Sequence, residues 1–182
     1  MDTPIEGAAL RRVMRHVPSP VTVVTAAEGR QRRGITIGSF TSVALDPPLV
    51  SFNVAHDASI YDLIVQVPHF AVHVLAEEQA HLAEHFAIPD LTSAEQFEAV
   101  SHRIGRHGLP LLDDVAAVLY CTPHDTVMAG DKTILFGLVT DAELLRPEAG
   151  SVLYYKRSYR GIGTELTSTV LSPVNRASSD TS

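Results

Sequence analysis

The amino-acid sequence predicts a mostly antiparallel β barrel or sandwich with a few helices attached. Strand-like segments outnumber helical ones, and the hops from strand to strand are short. A doubly wound parallel sheet needs a helix after nearly every strand, and this chain lacks those helices. Its 182 residues suit one domain with appendages, long enough to bury most of its apolar surface.

The segment Ile5 to His16 fits an amphipathic helix, with Leu10, Val13 and Met14 at helical spacing. Pro18 and Pro20 end it. Val21 to Ala26 is a strand, and Glu28-Gly29-Arg30 begins a polar turn. The stretch from Gly34 to Phe52 reads as two adjacent strands broken at Asp46-Pro47-Pro48, the second resuming as Leu49 to Val54. Residues 58–66 predict a short helix with Ile60, Leu63 and Ile64 inward. Phe70 to Leu75 is the next strand, and Glu77 to Phe86 a helix with Leu82 and Phe86 four apart. Ser93-Ala94-Glu95-Gln96 has the form of a capping box. The Gly-rich stretch from Ile104 to Pro110 reads as a loop. Ala116 to Cys121 and Thr133 to Val139 are strands paired across a 122–132 connection, and Val152 to Tyr155 is a last short strand. From Thr167 the chain turns to Ser, Thr, Asn and Asp, the composition of a disordered tail. No internal repeat is present.

Composition excludes several classes of function. Fourteen Lys and Arg against 21 Asp and Glu give a net charge of −7, which argues against nucleic acid as a partner. The run from Tyr154 to Arg160 is the only cationic cluster mixed with aromatics. Cys121 is the only cysteine, so no intrachain disulfide and no cysteine-based zinc cluster can form, as expected of a reducing cytosol. The opening Met1-Asp2-Thr3-Pro4-Ile5-Glu6 carries no basic region or long apolar run, so no signal peptide is expected. No apolar stretch is long enough to predict a membrane-spanning helix.

Several motifs compete for a catalytic reading. His81-Leu82-Ala83-Glu84-His85 matches an inverted zinc-peptidase signature, but no third ligand is identifiable, and a solvated helix face explains it as well. Gly130-Asp131-Lys132-Thr133 has Asp125 where a phosphate loop needs its upstream glycine. Gly161-Ile162-Gly163 lacks the third glycine of a dinucleotide fold. Cys121, inside an apolar strand, reads as core. His124 and Asp125 fit an exposed hairpin loop, and His102 and His107 solvated loop positions.

One strand is unusual. Between Gly34 and Ala44 lie two Gly, two Ser, two Thr and one Ala, where a core strand should carry bulky side chains. Small residues leave the backbone within reach of a ligand, and their hydroxyls add donors and acceptors. They suit the wall of a site for a flat, polar-edged heterocycle with a phosphorylated tail. They suit a barrel corner equally well.

The order of short segments separates these readings. Val21-Thr22-Val23-Val24-Thr25, Gly34-Ile35-Thr36, Ser39-Phe40-Thr41-Ser42-Val43 and Pro47-Pro48-Leu49-Val50 resemble the flavin reductase family. Phe70 to Leu75, Phe86-Ala87, Gly130-Asp131, Gly137-Leu138-Val139 and the segment from Tyr154 to Arg160 follow in register, so the resemblance covers residues 8 to 163. It implies a six-stranded antiparallel Greek-key split barrel of the FMN-binding type, mainly β with added helices. The flavin-binding domain would span residues 1–166, with 167–182 as the tail. It further implies a cytoplasmic homodimer that uses NADH or NADPH to reduce FMN or FAD for a partner flavin-dependent monooxygenase.

By the same resemblance, Thr36, Ile37, Gly38 and Ser39, with Ser42 and Val43, face the isoalloxazine ring and ribityl chain. Asn53, His56 and Ser59, with the Phe86-Ala87 backbone, lie near the phosphate or adenylate end. Tyr159 and Arg160 belong to the cofactor-binding set. Three positions depart from the family. Ser19-Pro20 stands for a Thr-Gly pair beside the flavin, Ile37-Gly38 for Ala-Asn, and Lys132 for a histidine over the reacting face. Lys132 is therefore the candidate catalytic residue. The departures leave room for a flavin-bound relative acting directly on a small organic substrate in a biosynthetic pathway, or for a non-catalytic flavin-binding protein.

Overall fold

The computed structural model, which describes residues 2–163, rests on strands with both faces buried. Helix α1 (Gly7–Met14) precedes β1 (Ser19–Pro20), β2 (Thr22–Glu28), β3 (Gln31–Ile37), β4 (Thr41–Leu45) and β5 (Pro48–Ala55). After α2 (Tyr61–Ile64) come β6 (Phe70–Val74), a 3-10 turn (Glu77–Gln79), α3 (Ala80–Phe86) and α4 (Ser93–Glu98). Hairpin β7 (His102–Ile104) and β8 (Pro110–Leu112) follows, then the long pair β9 (Ala117–Ala129) and β10 (Lys132–Leu144). Hairpin β11 (Leu153–Tyr155) and β12 (Ser158–Arg160) ends the described chain. The expected tail at 167–182 lies outside the described residues.

The main ladder runs β3-β2-β6-β9-β10-β5-β4, antiparallel at every step. β3 and β4 are halves of one segment bent at residues 38–40. Its first half pairs with β2 and its second with β5, so the ladder closes into a ring. The ring counts six segments, one of them split in two. β5 and β6 are consecutive strands along the chain but not neighbours in the sheet, and α2 lies on the connection between them.

Period-two alternation divides the core. Val24, Ala26, Phe70, Val72 and Cys121 join Phe52, Leu135 and the α2 side chains Leu63 and Ile64 in one buried cluster, the barrel interior. Val23, Ala71, Val118 and Tyr120 point the other way, into a second cluster with Leu82 and Phe86 of α3, Phe97 of α4, and the leucines around β8. Gly137 makes room inside the barrel, since an added Cβ would lie 2.5 Å from the Phe70 ring.

Several elements differ from the sequence reading. The first helix spans Gly7–Met14, not 5–16, and buries none of its residues. The capping box sits one residue earlier. Thr92 Oγ1 accepts from the Glu95 N–H, and the Glu95 carboxylate accepts from the Thr92 N–H, so Thr92 is the cap and not Ser93. Both Thr-x-x-Glu and Ser-x-x-Gln satisfy the pattern, and the glutamate accepts more strongly. The 104–110 loop carries a 3-10 turn and the first residue of β8. The 122–132 connection is not a loop. β9 and β10 run through it to a tight turn with Gly130 at φ +64, which puts His124 and Asp125 on a strand.

Candidate functional site

The bend between β3 and β4 is where the small residues fall. An added Cβ at Gly38 would meet only Ser19 Cβ at 3.8 Å and the Pro20 carbonyl at 4.0 Å, so space remains on that side. β1 places Ser19 and Pro20 there by pairing with Tyr154 and Leu153 of β11. Ser39 faces the other way, its Oγ accepting from the Asn53 N–H at 2.9 Å. This bond ties the bend to β5. Ser42 and Val43 follow at a bulge in β4, and both are exposed. Ile37 differs from its neighbours: its side chain is 3% exposed inside the barrel, so it offers a ligand only its backbone.

A cleft of about 290 Å3 lies beside β3, between residues 57–59 and the chain that leaves α3. Thr36, Ser59, Phe86 and Ala87, all sequence candidates, line it together. The Thr36 hydroxyl donates to the Ala83 carbonyl at 2.7 Å, which fixes α3 on β3 and leaves the Thr36 oxygen only as an acceptor. Phe86 is buried, and its ring lies over Gly34, where an added Cβ would be 2.5 Å from it. Only the Phe86 backbone therefore remains for a ligand.

Sequence reasoning missed part of this lining. Gln96 of α4 is 1% exposed, and its amide brackets Gly34. The Gly34 N–H donates to Gln96 Oε1 at 3.0 Å, and Gln96 Nε2 donates to the Gly34 carbonyl at 3.1 Å. In the sequence Gln96 reads only as the end of a capping box on a short polar helix, not as a residue of a ligand cleft. Asp57 and Asp90 also line the cleft. Two carboxylates repel a bare phosphate but accept from sugar hydroxyls, and backbone N–H groups remain as the donors to any phosphate.

Asn53, His56 and Lys132 gather on the β5–β10 ladder. Lys132 pairs with Ala55, and Ile134 with Asn53, so alternation puts Lys132 and Asn53 on the outer face. The Lys132 ammonium is 3.5 Å from the Asp131 carboxylate and partly exposed. His56 turns the other way: its Nε2 and the Tyr61 hydroxyl both hydrogen-bond Thr133 Oγ1, at 3.2 and 2.9 Å. Lys132, Asn53 and His56 do not line the β3–α3 cleft. Tyr159 packs against the outer cluster, 5.1 Å from the Tyr154 ring between centroids. Burial raises its phenol pKa, helped by the nearby Tyr154 and Glu84 charges. Arg160 pairs with Leu153 and is exposed.

The remaining motifs take structural places. His85 Nε2 donates to the Gln96 carbonyl at 2.9 Å, and His81 Nδ1 bonds the Glu78 carbonyl at 3.2 Å. No group of three metal-ligating side chains is present among the described residues. Cys121 is buried in the barrel, where burial pushes its thiol pKa up to about 12. Among the described residues no helix is long and apolar enough to cross a membrane.

The open backbone at the bend, the half-buried Ser39, the exposed Ser42 and the cleft beside β3 fit a flat heterocycle with a sugar-bearing tail. The model of the flavin reductase like domain matches residues 14–163. In Rhizobium meliloti a probable flavin reductase is 40% identical over 74% of this chain and 43% of its own length. The stachydrine N-demethylase reductase subunit of the same organism is 39% identical over 72% of this chain and 56% of its own. The chain thus spans about half the length of these two relatives. A solved Streptomyces globisporus NADH:FAD oxidoreductase, in complex with NAD and FAD fragments, superposes with a TM-score of 0.82 at 36% identity, covering 92% of this chain and 99% of that one.

Proposed function

The chain belongs to the flavin reductase like domain family, and on that premise we propose that it is an NAD(P)H:flavin oxidoreductase supplying reduced FMN or FAD to a partner monooxygenase. The observation that carries the reading is the bent β3–β4 segment, whose backbone at Gly38 and Ser39 stands open beside Ser19 and Pro20. It acts as a cytoplasmic homodimer, with residues 1–166 as the flavin-binding domain.

A bound flavin would supply the hydride acceptor, taking hydride from a nicotinamide stacked on it. The chain's own work is orientation and electrostatics. The backbone at Ile37, Gly38 and Ser39 would hold the ring edge. Ser42 and Val43 would lie along the ribityl chain. Ser59 and the Phe86-Ala87 backbone would hold the far end, with Asp57 and Asp90 accepting from sugar hydroxyls. Asn53 and Lys132, on one outer face, would meet the reacting side, where an ammonium favours added negative charge.

The test is steady-state oxidation of NADH and NADPH at several concentrations of added FMN and FAD. Oxidation that saturates with flavin supports the reading. Bleaching by a small organic substrate without any nicotinamide oxidation would favour direct substrate chemistry instead.

A further inference from the structure

The net charge of −7 makes this chain repel anions at long range. A substrate with several phosphates therefore needs a local positive seat. One pocket supplies it. Arg11 and Arg15 of α1 and Lys156 and Arg157 of the β11–β12 turn line a cavity of about 150 Å3, with Ser19 and Tyr154 and the apolar Met14 and Val17 on its wall. The arrangement is built. The Lys156 N–H donates to the Arg15 carbonyl at 3.2 Å, pinning the turn to the end of α1. Lys156 and Arg157 hold left-handed φ values of 49° and 68°, which fold the turn tightly. The Lys156 ammonium rests over the Tyr155 ring, 5.2 Å from its centroid.

Four exposed like charges line one pocket, and like charges repel one another. Among the described residues none of the four forms an ion pair. The helix C-terminus attracts Arg11 and Arg15, but it gives no reason for the two cations of a separate hairpin. The pocket is too small for a whole dinucleotide, and its size suits phosphate groups. Ser19 belongs both to this pocket and to the wall at Gly38, so the seat adjoins the proposed ring site. The β3–α3 cleft, with Asp57 and Asp90, does not share these cations.

Resting on the reductase reading, we infer that this pocket binds the phosphates of the nicotinamide dinucleotide. The 2′-phosphate of NADPH adds charge there, so NADPH depends on the pocket more than NADH does.

The experiment uses two double variants, Arg11→Gln with Arg15→Gln and Lys156→Gln with Arg157→Gln. Each removes two charges and keeps an unbranched polar side chain, and the second keeps a non-glycine residue at each turn position. The expected result is a rise in KM for NADPH of about tenfold or more, the scale of a lost charge-assisted hydrogen bond. The rise for NADH is smaller, while kcat and flavin affinity stay unchanged. Salt raises KM in wild type and less so in the variants. Unchanged KM for both nucleotides in both variants would overturn the inference and leave the reductase reading standing. Weakened flavin binding with unchanged nucleotide KM would overturn it too, and would assign the cations to the flavin tail. Direct titration with NADP+ separates the two readings. Wild-type binding that both variants lose supports the pocket even if no nucleotide is oxidised, an outcome that would sink the reductase reading alone.

Discussion

Lys132 and His73 show how differently two polar residues sit in this fold. Lys132 begins β10 on its outer face, close to Asp131 and on the same face as Asn53. If its ammonium steadies charge on the reduced ring, Lys132→Ala lowers kcat/KM for nicotinamide oxidation by about tenfold without loss of fold. Lys132→His preserves or raises the rate. Equal rates in wild type and both variants would place Lys132 outside the site. His73 is wholly buried on β6, with Nδ1 3.0 Å from the Val23 carbonyl and no partner for Nε2. Burial lowers its pKa to about 4, against the Val23 bond that favours the charged ring, and Arg103 lowers it further. The unfolded chain therefore binds this proton first. The His73 contribution is constant above pH 6.5 and lowers stability as the pH drops from 6.5 toward 4. His69, also lowered by burial and by His107, adds in the same direction. Glu78, Glu95 and Asp141, whose pKa values are lowered by their hydrogen bonds, lose their contributions at more acid pH. Urea midpoints measured across this range for wild type and His73→Gln should show a shallower fall in the variant. Parallel curves would mean that His73 is already charged in the fold.

At the scale of elements, two glycines on one segment predict opposite outcomes. Gly34 lies under the Phe86 ring and between the two bonds of Gln96, so Gly34→Ala must push α3 off β3. A destabilisation of about 1–3 kcal/mol is expected, read from the urea midpoint. Gly38 has open space, so Gly38→Leu should leave stability within about 1 kcal/mol but weaken flavin binding at least several-fold. Unchanged flavin affinity in Gly38→Leu would remove the bend from the site. The strands β2, β5 and β6 were legible because Val, Phe and Ala recur along them and most of their residues are buried. The outer half of β9 was not, because residues 123–129 are exposed on both faces and carry Pro123, so no period exists to read. The bend at Gly38 showed in composition, but composition could not separate ligand wall from barrel corner. The cleft formed by Thr36, Ser59 and Phe86 could not be reached from periodicity, because α3 packing on β3 brings together residues far apart in sequence.

At the scale of the whole molecule, the single chain leaves apolar surface uncovered. Leu10, Val13 and Met14 of α1 are 52%, 63% and 50% exposed, and Met128 at the tip of the β9–β10 hairpin is 78% exposed. Their helical spacing predicted an amphipathic helix, and among the described residues no element covers its apolar face. The homodimer proposed above would cover such surface. Sedimentation should give twice the chain mass, and Leu10→Glu with Val13→Glu should shift it toward the monomer. A wild-type monomer that binds flavin with full affinity would contradict the dimer. Reduction of flavin by nicotinamide is the central claim, and an anaerobic single turnover tests it most directly. Purified protein is mixed with oxidised FMN or FAD and one equivalent of NADH or NADPH. The predicted result is loss of the oxidised-flavin absorbance together with the nicotinamide absorbance, in equal amounts and far faster than without protein. Flavin that binds and stays oxidised while both nucleotides remain intact would contradict it.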